Sequence, residues 1–338
     1  MELKAVNNIV KQFIPSEDVK TFSLNQKGLI NQTFVVTVEG KSAQKFILQC
    51  INTSALPLYI KGLENILLVK KELEKSCFSY EFPTPVTDKY ICVEGVIWRL
   101  FPFIESSCYD VVLDTDMAFE AAKCLGSFYK SLDSYNAKQL HITLPNFHNA
   151  AFRIFELEKA IKTAKKERKK HASGLIKRIK SSRKILQKFD KLNVALPNRV
   201  VHFDVKINNF LFDKTTNKAK AIIDLDTLMP GTVLSDIGDM IRTFSNCVGE
   251  ESQNIYEVEA DFEIIKNIIN GFVSSCENIL TKAEKDNLLF SGKAITLLQC
   301  IRFLTDYLNN DSYYRISYNE QNFMRAKNQW ELFCSLRG

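Results

Sequence analysis

The chain has 338 residues, 46% of them hydrophobic, and a formal net charge of +6, which is enough apolar material for a large core divided over two lobes or domains. No run of eighteen apolar residues occurs, and Met1-Glu2-Leu3-Lys4 opens a helix rather than a signal peptide, so neither membrane spanning nor secretion is indicated. Nine cysteines without a C-x-x-C pair exclude a metal finger; set among apolar neighbours such as Phe78, Ile91 and Ile301, they read as reduced core residues of a cytoplasmic protein.

In chain order, Val6, Ile9, Val10 and Phe13 share one face of an amphipathic first helix. Residues 28–38 predict a strand, Glu39-Gly40 a turn, and residues 45–51 a second strand. A helix follows from Leu63 to Leu73, then a hairpin of residues 90–93 and 96–100 around Glu94-Gly95. The stretch Pro102-Phe103-Ile104-Glu105 is the natural hinge, which makes 1–105 a strand-rich lobe and 106–338 a larger lobe, helical from Asp114 onward.

Residues 162–184 hold eleven Lys or Arg against the single acid Glu167; this stretch carries +10 and the remainder of the chain −4. Such a run attracts phosphate, but it has no aromatic residue on which bases could stack. It reads as solvated helix faces rather than a nucleic-acid surface. Further on, Val200-Val201, Phe210 to Phe212 and Ala221 to Ile223, with a polar turn at 214–218, predict strand, loop, strand, turn, strand.

Within that unit stands His202-Phe203-Asp204-Val205-Lys206-Ile207-Asn208-Asn209, followed by Asp224-Leu225-Asp226. The spacing matches the H-x-D-x-x-x-x-N loop of protein kinases, in which the Asp accepts the proton of the attacking hydroxyl and the Asn holds magnesium, while a later strand-end Asp holds metal against the phosphates. Asp204, Asn209 and Asp224 fit those roles, with Lys206 placed to neutralise phosphoryl oxygens. The strand order is expected to bring Asp204 and Asp224 to the same end of one small sheet. ATP is then expected in the cleft beneath the strand-rich lobe, against Phe103 and Glu105 at the hinge. Gly28 and Asn31 stand in a loop that can approach phosphates through backbone N–H groups. Gln49 occupies the strand position where protein kinases carry a phosphate-binding Lys, and no G-x-G-x-x-G is present.

Beyond the kinase motif, the runs Leu48 to Thr53, Trp98-Arg99-Leu100, Ile223 to Gly231, Asp236-Ile237-Gly238-Asp239 and Ile301 to Leu308 resemble the anomeric N-acetylhexosamine kinases, within the aminoglycoside and choline kinase-like phosphotransferases. The resemblance runs from about residue 20 to 330. It implies a two-lobed, protein-kinase-like α/β fold, ATP and Mg2+, and a free sugar as acceptor. It further implies that Asp204 is the general base, that Asn209 and Asp224 bind magnesium, and that Arg302 and Tyr313 reach the sugar. Asp226 reads as a second metal ligand, as part of the sugar site, or as a group that simply orders the loop. A rival acceptor class stays open, because Glu250, Glu251, Glu257, Glu259, Asp261 and Glu263 form an acidic stretch without a base, as a cationic acceptor such as an aminoglycoside, choline or an amino alcohol would want.

Overall fold

The computed structural model describes residues 2–25, 31–39 and 44–336. Helix α1 (Leu3–Val10) turns Val6, Ile9 and Val10 inward. Strands β1 (Asp18–Asn25), β2 (Gln32–Glu39) and β3 (Gln44–Cys50) come next, then helix α2 (Tyr59–Leu73) and strands β4 (Ile91–Val93) and β5 (Val96–Pro102). The five strands form an antiparallel sheet in the order β1-β2-β3-β5-β4. Period-2 alternation sends Phe34, Val36, Val38, Leu48, Trp98 and Leu100 to the α1 side, where they build a first core. The same alternation puts Thr33, Gln49 and Arg99, cross-strand neighbours on β2, β3 and β5, on the opposite face. The β4–β5 hairpin turns on Glu94 and Gly95, both at positive φ (51° and 78°), as a two-residue turn requires.

Strand β1 was not expected from the sequence. Its only deeply buried apolar side chain is Val19, so the edge strand carries no clear alternation. Helix α2 begins four residues before the expected Leu63 and packs away from the sheet. Ile66, Val69 and Leu73 belong to the second, larger core, and Asn65 bonds the backbone of His141 and Leu228. The division of cores therefore does not follow the sequence division at residue 105.

The second core is helical. Helix α3 (Thr115–Ser131) starts at Asp114, whose carboxylate caps Met117 N–H. Helices α4 (Ala150–Thr163), α5 (Lys166–His171), α6 (Ser173–Ser181) and α7 (Arg183–Ala195) follow. The basic run lies on α5 and α6 and around them, its lysines outward and Leu175, Ile176 and Ile179 buried. Four short strands, β6 (Arg199–Val201), β7 (Phe210–Phe212), β8 (Ala219–Ile222) and β9 (Met229–Gly231), precede α8 (Val233–Phe244), α9 (Phe262–Cys276), α10 (Lys282–Lys285), α11 (Leu288–Leu308) and α12 (Gln321–Ser335). By length and composition α11 could cross a membrane, but it is the central core helix and 72% of its apolar window is buried. A Cβ at Gly238 would strike Ile295 and the Ser291 backbone; this close approach fixes α8, and with it the loop described below.

Two expectations need correction. The three short strands do not share one sheet, since β7 pairs with β8 while β6 pairs with β9. Of the nine cysteines only Cys124, Cys276 and Cys300 are buried, and Cys77 and Cys92 are exposed, because single apolar neighbours do not fix which face of an edge or loop turns inward.

Candidate active site

After β6 the chain leaves Val201 through His202 and Phe203, the latter at φ 67°, a conformation a bulky residue holds only when its surroundings impose it. Two carboxylates at i and i+3 on α8 impose it. Asp236 accepts N–H bonds from His202 (2.9 Å) and Phe203 (2.7 Å) and a hydroxyl bond from Tyr129 (2.9 Å). Asp239 accepts from Val205 N–H (3.0 Å) and is held by Arg242 Nε (2.9 Å). Burial pushes the Asp236 carboxyl up to about 6, against the pull of His202 and of these donors. His202 ties the loop to the next one: its Nδ1 accepts from Asp204 N–H (3.3 Å), which leaves the proton on Nε2 to be donated to Ile223 O (3.0 Å). Ile223 N–H in turn bonds Asn209 O (2.9 Å). These crossed loop bonds, rather than a shared sheet, bring Asp204 and Asp224 together.

Asp204 Oδ2 accepts from Asn209 Nδ2 (3.0 Å) and faces Lys206 Nζ (2.9 Å). Asn209 also bonds Asp204 O (2.8 Å), which leaves Oδ1 for a substrate hydroxyl. Burial works to raise the Asp204 carboxyl, but the Lys206 ammonium and the Asn209 amide outweigh it and hold the group below the usual range. Lys206 is raised in turn, chiefly by Asp204 and Asp224 against the cost of burial. Asp224, in left-handed backbone (φ 62°), opens onto the cleft and accepts no hydrogen bond from the described residues. Its enclosure between the lobes, with Asp204 and Asp226 near, raises its carboxyl despite Lys206.

The cleft between sheet and helical core has a volume of about 290 Å³. Val35, Ile47, Phe101, Phe103, Ile104 and Leu211 give it an apolar end; Thr33, Gln49, Arg99, Lys206, Asn209 and Asp224 give it a polar one. Asp204 lies just beyond, bonded to two of these. A planar base fits the first end and phosphates the second. The side chains that could hold magnesium are Asn209 and Asp224, because one amide oxygen and one unbonded carboxylate are hard oxygen donors. Among the described residues no three His, Cys, Asp or Glu side chains form a metal-binding group, so phosphate oxygens would have to complete the shell.

The model of the phosphotransferase enzyme family matches residues 21–259. The chain belongs to that family. Its fold recurs among solved structures, including these three. An aminoglycoside phosphotransferase from Alicyclobacillus acidocaldarius superposes with a TM-score of 0.62 at 12% identity, over 93% of this chain and 91% of that one. An amicoumacin kinase solved with AMP-PNP, Ca2+ and its antibiotic gives 0.59 at 14% identity, over 94% and 88%. A spectinomycin phosphotransferase solved with ADP and spectinomycin gives 0.53 at 14%, over 96% and 98%. The phosphotransferase fold is thus a strand-rich sheet over a helical base, as expected.

Near Asp204, whose charge acts on His148, this chain gathers an aromatic and cationic wall. The Arg302 guanidinium lies 4.5 Å from the Phe147 ring centre and 5.7 Å from that of Tyr314, and donates to Gln299 Oε1 (2.8 Å). His148 stacks on Phe147 (4.9 Å) and meets Phe203 edge-on (5.2 Å). Its Nδ1 is buried without a partner among the described residues, and burial, with Arg302, Arg153 and Arg242, holds the imidazole well below the usual range against the opposing pull of Asp204. His148 and Phe147 were not singled out in the sequence, and nothing in their local pattern marks them.

Several expected site residues stand elsewhere. Gly28 lies outside the described residues. Asn31 spends its side chain on Asp226 Oδ2 (3.0 Å) and Asn52 N–H (3.0 Å). Glu105 is not part of the cleft lining; hydrogen bonds from Lys214 (2.7 Å) and Lys45 (2.8 Å) hold its carboxyl down to about 2. Tyr313 is 58% exposed and its neighbour Tyr314 meets Arg302 instead, because Asp306 accepts both backbone N–H groups and fixes which ring turns inward. Asp226 is bonded bidentately by Arg99, so it is not open to a metal or a sugar.

Proposed function

We propose that this phosphotransferase moves the γ-phosphoryl group of ATP, with magnesium, to the anomeric hydroxyl of an N-acetylated hexosamine. The observation that carries the reading is the Asp204 carboxylate. One oxygen is held by Asn209 and Lys206 at the polar end of the cleft, and the other is left for an acceptor hydroxyl. Held ionised, Asp204 orients that hydroxyl and takes its proton late, which suits a loose transition state in which positioning and charge matter more than basicity. Lys206 meets the charge on the moving phosphoryl oxygens. Asn209 and Asp224 would hold magnesium, which when bound neutralises phosphate charge.

The choice of acceptor rests on the wall near Asp204. Arg302 and the Gln299 and Tyr314 groups it touches offer hydrogen bonds to neutral oxygens and amides beside aromatic rings. The acidic stretch supports a cationic acceptor less than its composition suggests. Glu250 is paired with Arg242 and Glu251 with Arg325 (2.5 Å), while Asp261 caps α9. The test is turnover of ATP with N-acetylglucosamine, N-acetylgalactosamine, choline and an aminoglycoside across a range of salt. A neutral sugar gives a KM that salt barely moves; transfer confined to the cations would sink the reading.

A further inference from the structure

A nucleoside triphosphate brings about four negative charges, and kinases commonly meet part of them with a strand lysine paired to a helix glutamate. Here the strand residue is Gln49, and its amide is already engaged, accepting from Arg99 Nε (2.8 Å) and donating to Thr33 Oγ1 (3.1 Å). Among the described residues that line the cleft only two side chains are cationic, Lys206 and Arg99, and Lys206 stands beside Asp204, where it meets the moving phosphoryl group and leaves the rest of the triphosphate to Arg99. We infer that Arg99 on β5 is the phosphate-anchoring cation of this chain and that Asp226 is its positioning partner. The inference deepens the nucleotide reading above and rests on it.

The geometry is that of a side chain built to hold one pose. Nη1 and Nη2 both bond the Asp226 carboxylate, Nη1 also meets Tyr90 Oη (3.4 Å), and the guanidinium lies 5.0 Å from the Phe101 ring centre. A guanidinium has five N–H donors. Gln49, Tyr90 and the two carboxylate oxygens use four, which leaves one on Nη2 without a partner among the described residues. Arg99 keeps its charge at any working pH, and its register opposite Gln49 places it on the cleft face of the sheet. Asp226 comes from the loop that carries Asp224, so the pair couples the sheet to the metal-side loop across the cleft. An anchoring arginine thus substitutes from a neighbouring strand for the lysine that the sequence lacks at position 49.

The test is direct binding of ATP, ADP and adenosine to the intact protein, with magnesium, by titration calorimetry. Arg99→Met and the double variant Arg99→Met/Asp226→Asn, which leaves no buried carboxylate unpaired, should bind ATP and ADP about 10- to 100-fold more weakly, the span for a lost charge-assisted contact. Adenosine should stay within about twofold. Arg99→Lys, which keeps charge but not the forked pairing, should fall between. Equal weakening of all three ligands would show a merely structural side chain and overturn the inference, as would unchanged ATP binding in the folded double variant. Wild-type protein that binds adenosine and ATP not at all would instead overturn the nucleotide reading, and the inference with it.

Discussion

Replacing Asp236 by Ala removes the acceptor that holds the catalytic loop in its unusual backbone. The carboxylate is fully buried and serves three donors, His202 N–H, Phe203 N–H and Tyr129 hydroxyl, at 2.7 to 2.9 Å. A buried donor left unsatisfied costs roughly 1–3 kcal/mol, and with partial entry of water the three together cost about 3–5 kcal/mol. An unfolding entropy near 2.1 cal/mol/K per residue makes that a fall in Tm of about 4–7 °C for a chain of this size. The loop also loses what keeps Phe203 at positive φ, so Asp204 shifts and kcat should drop about 10²-fold. The dependence on pH has a definite sign. The folded carboxyl lies near 6, above its ordinary value, so the stability it contributes is full below about pH 4 and is lost as pH rises through about 6. The gap between wild type and Asp236→Ala should therefore widen by about 1 kcal/mol from pH 7.5 to 5.5. Denaturant unfolding at the two pH values and steady-state kinetics check these together. A Tm within about 2 °C of wild type with kcat within about threefold would refute the clamp.

Asp204→Asn should leave ATP binding intact and lower kcat by roughly 10²- to 10⁴-fold, measured by steady-state turnover; an active variant would remove Asp204 from the base role. The acid limb of kcat/KM should lie below the ordinary carboxylate range, because Lys206 and Asn209 favour the ionised form. Asp224→Ala should weaken turnover at every sugar concentration, and recovery at excess sugar would move Asp224 to the acceptor side. Arg302→Ala should cost about 1.5–3 kcal/mol in kcat/KM for the sugar with little change in ATP affinity. Glu250→Gln and Glu251→Gln should each cost about 1–3 kcal/mol of stability, because they pair with the buried Arg242 and Arg325; loss of acceptor affinity with unchanged Tm would revive the cationic reading.

What was legible in the sequence was whatever local pattern determines. The amphipathic face Val6-Ile9-Val10-Phe13, the Glu94-Gly95 hairpin and the kinase loop are all set by residues close in the chain. What was not legible depends on partners far away. Strand β1 is an edge without alternation. The pairing of β6 with β9 is a long-range choice that three-residue strands cannot announce. Asp226 carried a motif position that suggested metal or sugar, yet its partner Arg99 lies 127 residues earlier, and only the closing of the cleft brings them together. Tyr313 and Tyr314 are adjacent, so which of them meets Arg302 is decided by the Asp306 carboxylate rather than by sequence position.

The central claim is that phosphate reaches the anomeric oxygen of a neutral acetylated amino sugar. Phosphorus and proton magnetic resonance of the product formed from ATP, magnesium and N-acetylhexosamine tests it most directly, since a phosphate on that oxygen couples to the sugar's H1. One product with that coupling is expected, absent for Asp204→Asn. Phosphate on another hydroxyl, or a phosphorylated aminoglycoside or choline with no hexosamine phosphate, would contradict it.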